Sequence, residues 1–262
     1  MRNRTVALAA TIGTVLLAPT PLADAQSRLP LPTDAALREE AAPAAPAAPA
    51  PAQAGPAAAP AGPAAVQEGS VSAADLLAAV RGCTPVSRGR YRTDEGTRPT
   101  IPVCGRRGAV YWKADMDIDC DGRPGRNCNR RADPLFSRMT AFQQSDGKYL
   151  SPDRLPYIVV PGRSRVWNHE AHGVRGGSVA AVLYRGRLTY AVVGDTGPTG
   201  IIGEASYATA KALGIPAHPR MGGAASGVTY IVFKNSKVTP IQSHRAAVAE
   251  GERLAREFVR RK

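Results

Sequence analysis

The segment GDTGPTGIIGEAS, residues 194–206, carries two carboxylate side chains, Asp195 and Glu204. Two carboxylates can break a glycosidic bond: one protonates the leaving oxygen, and the other activates a water molecule or attacks the sugar directly. Asp195 follows an apolar strand at a Gly/Pro turn, and the chain doubles back through TGPTGIIG before it reaches Glu204. We therefore expect both side chains to face one cleft as an acid–base pair.

Two other interpretations of this segment are open. Asp-Thr-Gly at 195–197 matches the aspartic-protease signature, but those enzymes need two such aspartates that share a proton, and this chain has one Asp-Thr-Gly. The plainer interpretation is an Asp in a turn and a Glu that complements the dipole of the helix it opens. A helix N-terminus would lower the pKa of Glu204 and favour it as the ionised partner, unless burial overrides the effect.

The segment DMDIDCDG places four aspartates at alternate positions, Asp115, Asp117, Asp119 and Asp121. In an extended strand all four side chains project from one face, because side chains alternate with period two. Carboxylates this close raise one another's pKa unless a cation lies opposite them. We therefore expect these four residues to bind something positively charged.

Three partners for this acidic strand are possible. Residues 117–122 match the opening of a calcium-binding EF-hand loop, but the twelfth position is Cys128 where a bidentate Glu is needed, so that a looser calcium site is the alternative form of this candidate. A polycationic substrate is the second candidate and the one we favour, with no metal ion and no cofactor expected. The third possibility is a solvated strand end neutralised by nearby arginines, namely Arg123, Arg126, Arg130 and Arg131.

The N-terminal segment is typical of an export signal. Residues 1–25 combine the basic start MRNR, an apolar stretch too short to span a bilayer, and the cleavage site Ala23-Asp24-Ala25. We expect a secreted, extracellular protein with no membrane attachment after cleavage. An oxidising compartment favours disulfides over zinc for the four cysteines. Of the three possible pairings, short loop closure favours Cys83–Cys104 and Cys120–Cys128.

Composition divides the rest of the chain into a linker and one domain. Residues 26–70 are rich in Ala and Pro, and 41–65 contain only Ala, Pro, Gly and one Gln, so this linker cannot bury enough apolar surface to fold. Residues 71–262 are long enough for their own core. The net charge is +13, but aromatic residues make up only 5%, which argues against nucleic acid as a partner. We expect a monomer.

The hydrophobic pattern of the domain predicts short strands and a few helices. Ser72 and Gly82 bound a first helix, Arg185-Gly186-Arg187 forms the turn of a hairpin, and the segments 204–214 and 243–262 read as helices. The remaining strand segments are 110–118, 157–160 and 227–233. The predicted fold class is mainly β with a few helices, that is, α+β.

Several of these motifs together resemble a known family. In chain order, MDIDCDG, LPYIVVP, the hairpin that ends in VVGDTG, GEAS and GVTYIVF are similar to the fungal-type chitosanases of glycoside hydrolase family 75, over roughly residues 83–235. The resemblance implies a secreted endo-acting enzyme that hydrolyses β-1,4 bonds in chitosan with inversion. Its catalytic pair would be the Asp of GDT and the Glu of GEAS, here Asp195 and Glu204. Chitosan, a polymer of ammonium-bearing sugars, would then be the partner of the acidic strand.

A second likeness suggests the architecture. The arrangement strand-GDTG-strand-IGE looks like the Asp-rich double-psi barrels of some peptidoglycan lytic enzymes and wall-loosening proteins, so we expect a six-stranded double-psi-type β-barrel, by analogy only. The alternative function is a cell-wall protein that cleaves or binds glycan on such a barrel. A binder would need no second carboxylate at position 204.

Overall fold

Residues 68–260 are described by the structure, a computed structural model. The predicted signal peptide, and the predicted linker up to residue 67, lie outside the described residues. The helices are α1 (Ala73–Ala79), α2 (Tyr207–Ala212) and α3 (His244–Arg260), with a 3-10 turn at Glu170–His172. The strands are β1 (Thr84–Pro85), β2 (Cys104–Arg106), β3 (Ala109–Asp119), β4 (Tyr157–Pro161), β5 (Val179–Tyr184), β6 (Arg187–Gly197), β7 (Glu204–Ser206) and β8 (Ala224–Phe233).

Six of these strands close into a barrel. Their order is β3-β7-β4-β6-β5-β8, and β8 pairs back onto β3, so that neither end of the sheet is left open. The barrel is mixed, because β3–β7 and β4–β6 are parallel and the other pairs are antiparallel. The predicted α+β class with a six-stranded barrel is confirmed. The double-psi designation stays a prediction.

Large side chains fill the barrel interior. Trp112 on β3 faces Tyr230 on β8 as a directly opposed cross-strand pair, with ring centroids 5.3 Å apart and nearly parallel planes. Trp167 packs its edge against Trp112 at 6.3 Å. Alternate residues of the other strands complete this apolar cluster. The interior is therefore a packed core, and any substrate site has to lie on the outer wall.

Helices cover part of the outer wall. The apolar face of α3, which includes Ala255 and Phe258, packs with α1 against outward-facing residues of the barrel, such as Tyr190 and Phe233. Phe258 meets the Phe233 ring edge to face at 5.9 Å. Among the described residues, no helix has both the length and the apolar character needed to cross a bilayer. The short helix α2 instead contacts β3, β4, β6 and β7.

Both predicted disulfides are present. Cys83 pairs with Cys104, and Cys120 pairs with Cys128. The first links the segment after α1 to β2. The second closes a short loop directly after β3, so it holds the chain that follows the acidic strand close to the barrel.

One element boundary differs from the prediction. Residues Glu204–Ser206 form β7, and the helix begins only at Tyr207, where the Ser206 hydroxyl accepts the Thr209 N–H as a cap. Glu204 therefore does not open a helix. The reason is tertiary: β7 is pinned between β3 and β4 by main-chain pairing, which overrides the local helix propensity of the EASYATAKAL segment.

A buried carboxylate fastens the start of the described chain to α3. Glu252 is 7% exposed and accepts hydrogen bonds from the Ser70 N–H at 2.9 Å, the Tyr190 hydroxyl at 3.2 Å and the Arg256 Nε at 2.9 Å. The Ser70 hydroxyl also donates to it. Glu68 adds a second link through the Tyr190 N–H at 2.8 Å.

We expect Glu252→Ala to lower the free energy of unfolding by about 3 kcal/mol, because it leaves the buried Tyr190 hydroxyl without its acceptor and also removes the bonds from Ser70 and Arg256. Urea denaturation at pH 7 measures the change. Glu250→Ala is the matched control on the same helix: it removes a surface ion pair with Arg253, so the expected loss is at most about 0.5 kcal/mol. Equal losses in the two variants would contradict the assignment.

Candidate active site

An acidic cleft of about 400 Å³ opens on the outer wall of the barrel. It contains six carboxyl groups, and within residues 68–260 its lining includes no Lys, Arg or His side chain. The carboxyl groups belong to Asp117, Asp119, Asp121, Asp133, Asp195 and Glu204. Both members of the predicted acid–base pair therefore line one cleft.

The strand register places these two residues in one row. Asp117 on β3 pairs with Glu204 on β7, and Val159 on β4 pairs with Asp195 on β6. The antiparallel pair Ile158–Ala205 sets Val159 next to Glu204. Residues that lie opposite one another in a sheet project from the same face. The row Asp117–Glu204–Val159–Asp195 thus faces outward, while the flanking Ile158 and Ala205 point into the barrel.

The row also sets the distance between the pair. One strand, β4, separates β7 from β6. Neighbouring strands lie about 4.8 Å apart, so the main chains at Glu204 and Asp195 are about 10 Å apart. This main-chain spacing is fixed by the hydrogen bonds of the sheet.

Asp195 is held by the main chain. It is 8% exposed, and its Oδ1 accepts the N–H groups of Ala141 and Thr196, both at 2.7 Å. Burial raises the pKa of Asp195 to about 6, and the two N–H donors oppose this rise because they stabilise the ionised form. With Oδ1 occupied, Oδ2 is the oxygen that remains for chemistry.

Glu204 lies in a more acidic setting. Burial, followed by the charges of Asp117, Asp195 and Asp121, raises its pKa to about 7. The predicted lowering by a helix N-terminus is wrong, because Glu204 lies on β7. Its Oε2 lies so close to Gly197 that a Cβ there would come within 2.7 Å of it. A glycine at 197 therefore leaves space for this carboxyl group.

Comparison with known proteins identifies the family of the chain. The family described as fungal chitosanase of glycosyl hydrolase group 75 matches residues 116–259, more than half of the chain. The chain belongs to glycosyl hydrolase group 75. The matched segment includes Asp117, Asp195 and Glu204, and it begins just after Asp115.

Three curated relatives illustrate the similarity. Endo-chitosanase C of Aspergillus oryzae is 31% identical over 175 residues, 63% of this chain and 43% of that protein. The endo-chitosanase of Aspergillus fumigatus is 34% identical over 141 residues, 49% and 59% of the two chains. Endo-chitosanase B of Aspergillus oryzae is 34% identical over 111 residues, 40% and 45%. The group 75 chain thus matches about half of the length of these relatives.

The four aspartates of the acidic strand do not act as one set in this group 75 protein. Asp117, Asp119 and Asp121 line the cleft, whereas Asp115 is buried outside it. Burial raises the pKa of Asp117 and Asp119, and a neighbouring carboxylate adds to the rise in each case. Among residues 68–260, none of the four nearby arginines forms an ion pair with these aspartates. The neutralised-strand alternative therefore receives no support from the ion pairs of the described chain, which are Lys148–Asp146, Arg163–Glu170, His244–Glu68, Arg253–Glu250, Arg253–Glu257 and Arg256–Glu252.

The sequence did not point to the residues on the opposite rim of the group 75 cleft. Asp133 and Leu135 line it from the segment that follows the loop closed by the Cys120–Cys128 bridge. Leu135 is 90% exposed, which is unusual for a large apolar side chain and suits contact with a sugar ring. The segment is also tied to the strand end, because Asp121 Oδ1 accepts the Ser137 N–H at 2.7 Å. The only sequence feature that could have indicated this rim is the predicted Cys120–Cys128 disulfide, which directly follows the acidic strand.

Proposed function

We propose that this protein is an endo-chitosanase that hydrolyses β-1,4 bonds in chitosan, with Asp195 and Glu204 as its catalytic pair. The proposal depends on the difference in charge between the cleft and the chain as a whole. Six carboxyl groups line one cleft in a chain whose net charge is +13. A cleft that is acidic in a basic protein suits a polycationic substrate. The names of the group 75 relatives agree with this substrate.

The environments of the two carboxyl groups suggest their roles. The acid has to stay protonated until it protonates the leaving oxygen, and the base has to be ionised to accept a proton from water. Glu204, with a pKa of about 7, suits the acid. Asp195, with a pKa of about 6 and two N–H donors on one oxygen, suits the base. Between these values both groups are in the required protonation states.

The separation of the pair supports inversion. Inverting enzymes hold their carboxyl groups about 6.5–9.5 Å apart, and retaining enzymes about 5–5.5 Å. Main chains about 10 Å apart, with the side chains on one face, suit the wider class. In the proposed step the water oxygen bonds to the anomeric carbon as the glycosidic bond breaks. Asp195 takes the water proton, and Glu204 gives its proton to the leaving oxygen.

The function is tested by incubating the protein with chitosan, chitin and peptidoglycan side by side. We expect release of reducing ends from chitosan above that from the other two, with an early fall in viscosity, as endo-cleavage requires. Proton NMR of the first products should show the α-anomer, as inversion of a β-linkage demands. Clearing of peptidoglycan alone would contradict the proposal and favour the cell-wall alternative.

We also propose that Asp117 binds the ammonium groups of the substrate, together with Asp119 and Asp121. Asp117→Asn should raise KM for chitosan about tenfold at low ionic strength, since one carboxylate–ammonium contact is removed. It should also shift the alkaline limb of the kcat profile to lower pH, because the Asp117 charge helps to raise the pKa of Glu204. Steady-state kinetics at about 10 mM and 300 mM NaCl, with EDTA present, measure the change. Asp146→Asn, an exposed residue paired with Lys148, is the control and should behave as the parent. A KM effect that does not shrink with salt would contradict the electrostatic role.

We further propose that the protein acts outside the cell as a monomer, without nucleic acid or membrane as a partner. The export-type N-terminal sequence supports secretion, and the two disulfides suit an oxidising compartment. Analytical ultracentrifugation of the secreted protein tests the oligomeric state.

A further inference from the structure

Three carboxylates meet at the edge of the cleft, outside the proposed catalytic pair. Asp94, Asp115 and Asp117 each place an oxygen within 4.8 Å of an oxygen of the other two. Asp94 comes from the loop after residue 92, while the other two come from β3. The Asp94 loop is fixed here, because the Arg92 N–H donates to the Gly200 carbonyl at 3.0 Å and the Ile202 N–H donates to the Arg92 carbonyl at 3.1 Å.

Asp115 distinguishes this cluster from an ordinary acidic surface. Its side chain is 5% exposed, and its Oδ1 is buried with no hydrogen-bond partner within the described chain. Gly203 lies directly against that oxygen with φ +121°, so that a Cβ there would collide with it. A buried carboxylate oxygen without a partner is costly, and the same carboxyl group has an oxygen within 4.8 Å of oxygens of Asp94 and Asp117.

No cationic side chain among residues 68–260 forms an ion pair with Asp94, Asp115 or Asp117. Within the described part of the chain, the repulsion among these three carboxylates is therefore not offset by a positively charged side chain.

We propose that Asp94, Asp115 and Asp117 bind a calcium ion. Calcium takes six to eight oxygen ligands at about 2.3–2.6 Å, and oxygens within 4.8 Å of one another can all reach a single ion at that distance. All three donors are carboxylates, the hard ligands that calcium prefers, and the exposure of Asp94 and Asp117 leaves room for water molecules to complete the shell. The ion takes no part in the hydrolysis step. It fastens the Asp94 loop to β3.

The position of this site links it to the cleft. Asp117 lies opposite Glu204 in the strand register, and the Asp117 N–H donates to the Gly203 carbonyl at 2.8 Å. A carboxylate has two oxygens, so Asp117 can bind the ion through one and face the cleft with the other. The bound ion would therefore hold in place β3, opposite Glu204, and residues 200–203, directly before it.

Calcium titration with thermal unfolding tests the proposal on the secreted protein. After EDTA treatment, 10 mM CaCl₂ should raise Tm by roughly 5–10 °C, as expected for a hundredfold excess over a dissociation constant of about 0.1 mM. Calorimetric titration should give one calcium per chain. Magnesium at the same concentration should give a clearly smaller shift, because it demands a tighter octahedral shell.

Matched variants separate this site from general charge screening. The Asp94→Asn and Asp115→Asn variants should lose the rise in Tm that calcium causes. Because Asp94 lies on an exposed loop, the Asp94→Asn variant should fold like the parent. Asp133→Asn, which removes a carboxylate from the opposite rim of the cleft, should keep the shift. No calcium shift in the parent, an equal shift with magnesium, or an unchanged shift in Asp94→Asn would each overturn the proposal.

Discussion

Asp195→Asn and Glu204→Gln should each reduce the release of reducing ends from chitosan by about a thousandfold or more, because each removes the proton transfer proposed for that residue. Both changes are nearly isosteric. The Asn Oδ1 can still accept the N–H groups of Ala141 and Thr196 that Asp195 accepts, so the fold and the shape of the cleft should persist. Initial rates at pH 6.5, measured with reducing-end and viscosity assays, determine the loss.

The controls for this prediction are Asp133→Asn and binding measurements on the inactive variants. Asp133 lines the same cleft but lies outside the row that holds the pair, so its variant should keep most of the rate. Chitosan oligomers should still bind to Asp195→Asn and Glu204→Gln with dissociation constants near that of the parent. Activity within tenfold of the parent in Glu204→Gln would remove it from the catalytic pair.

Glu204→Gln should also make the protein more stable at alkaline pH. The pKa of Glu204 rises on folding from its ordinary value of 4.5 to about 7. The folded state therefore favours the neutral form: the contribution to stability is full below pH 4.5 and is lost as pH rises through about 7. The difference corresponds to at most about 3 kcal/mol, so Tm of the variant at pH 8.5 should exceed that of the parent by roughly 5 °C.

The pH dependence itself is the internal control. At pH 4 the parent carboxyl group is neutral, like the Gln amide, so the two proteins should unfold at similar temperatures. Scanning calorimetry in EDTA-containing buffer at pH 4 and pH 8.5 tests this. A Tm difference that is the same at both pH values would show that packing, and not charge, separates the two proteins.

Much of the barrel could be predicted from local pattern. The alternation of VYWKADMDI predicts β3 with its outward aspartates, and the Arg185-Gly186 turn predicts the β5–β6 hairpin. These signals are strong because one face of each strand packs against an apolar core, which forces period-two burial. Short loop closure also favours the observed disulfide pairing among the three that the sequence leaves open.

The parts that could not be predicted depend on long-range pairing. β7 has three residues, and its sequence EAS also suits a helix; only its position between β3 and β4 makes it a strand. The row that brings Glu204 near Asp195 passes through Val159, and no local pattern specifies that register. Asp94 gave no signal at all, because its proximity to Asp115 arises from a loop far away in sequence.

The closed barrel and the bridged loop after β3 have different effects on the cleft. The wall strands are paired on both sides. Changes elsewhere on the surface should therefore not alter the main-chain distance between Asp195 and Glu204. The far rim, with Asp133 and Leu135, lies on the chain that follows the covalent ring between Cys120 and Cys128. An engineer could therefore exchange the side chains at 133 and 135 to admit differently decorated polysaccharides while leaving unchanged the strands that carry Asp195 and Glu204.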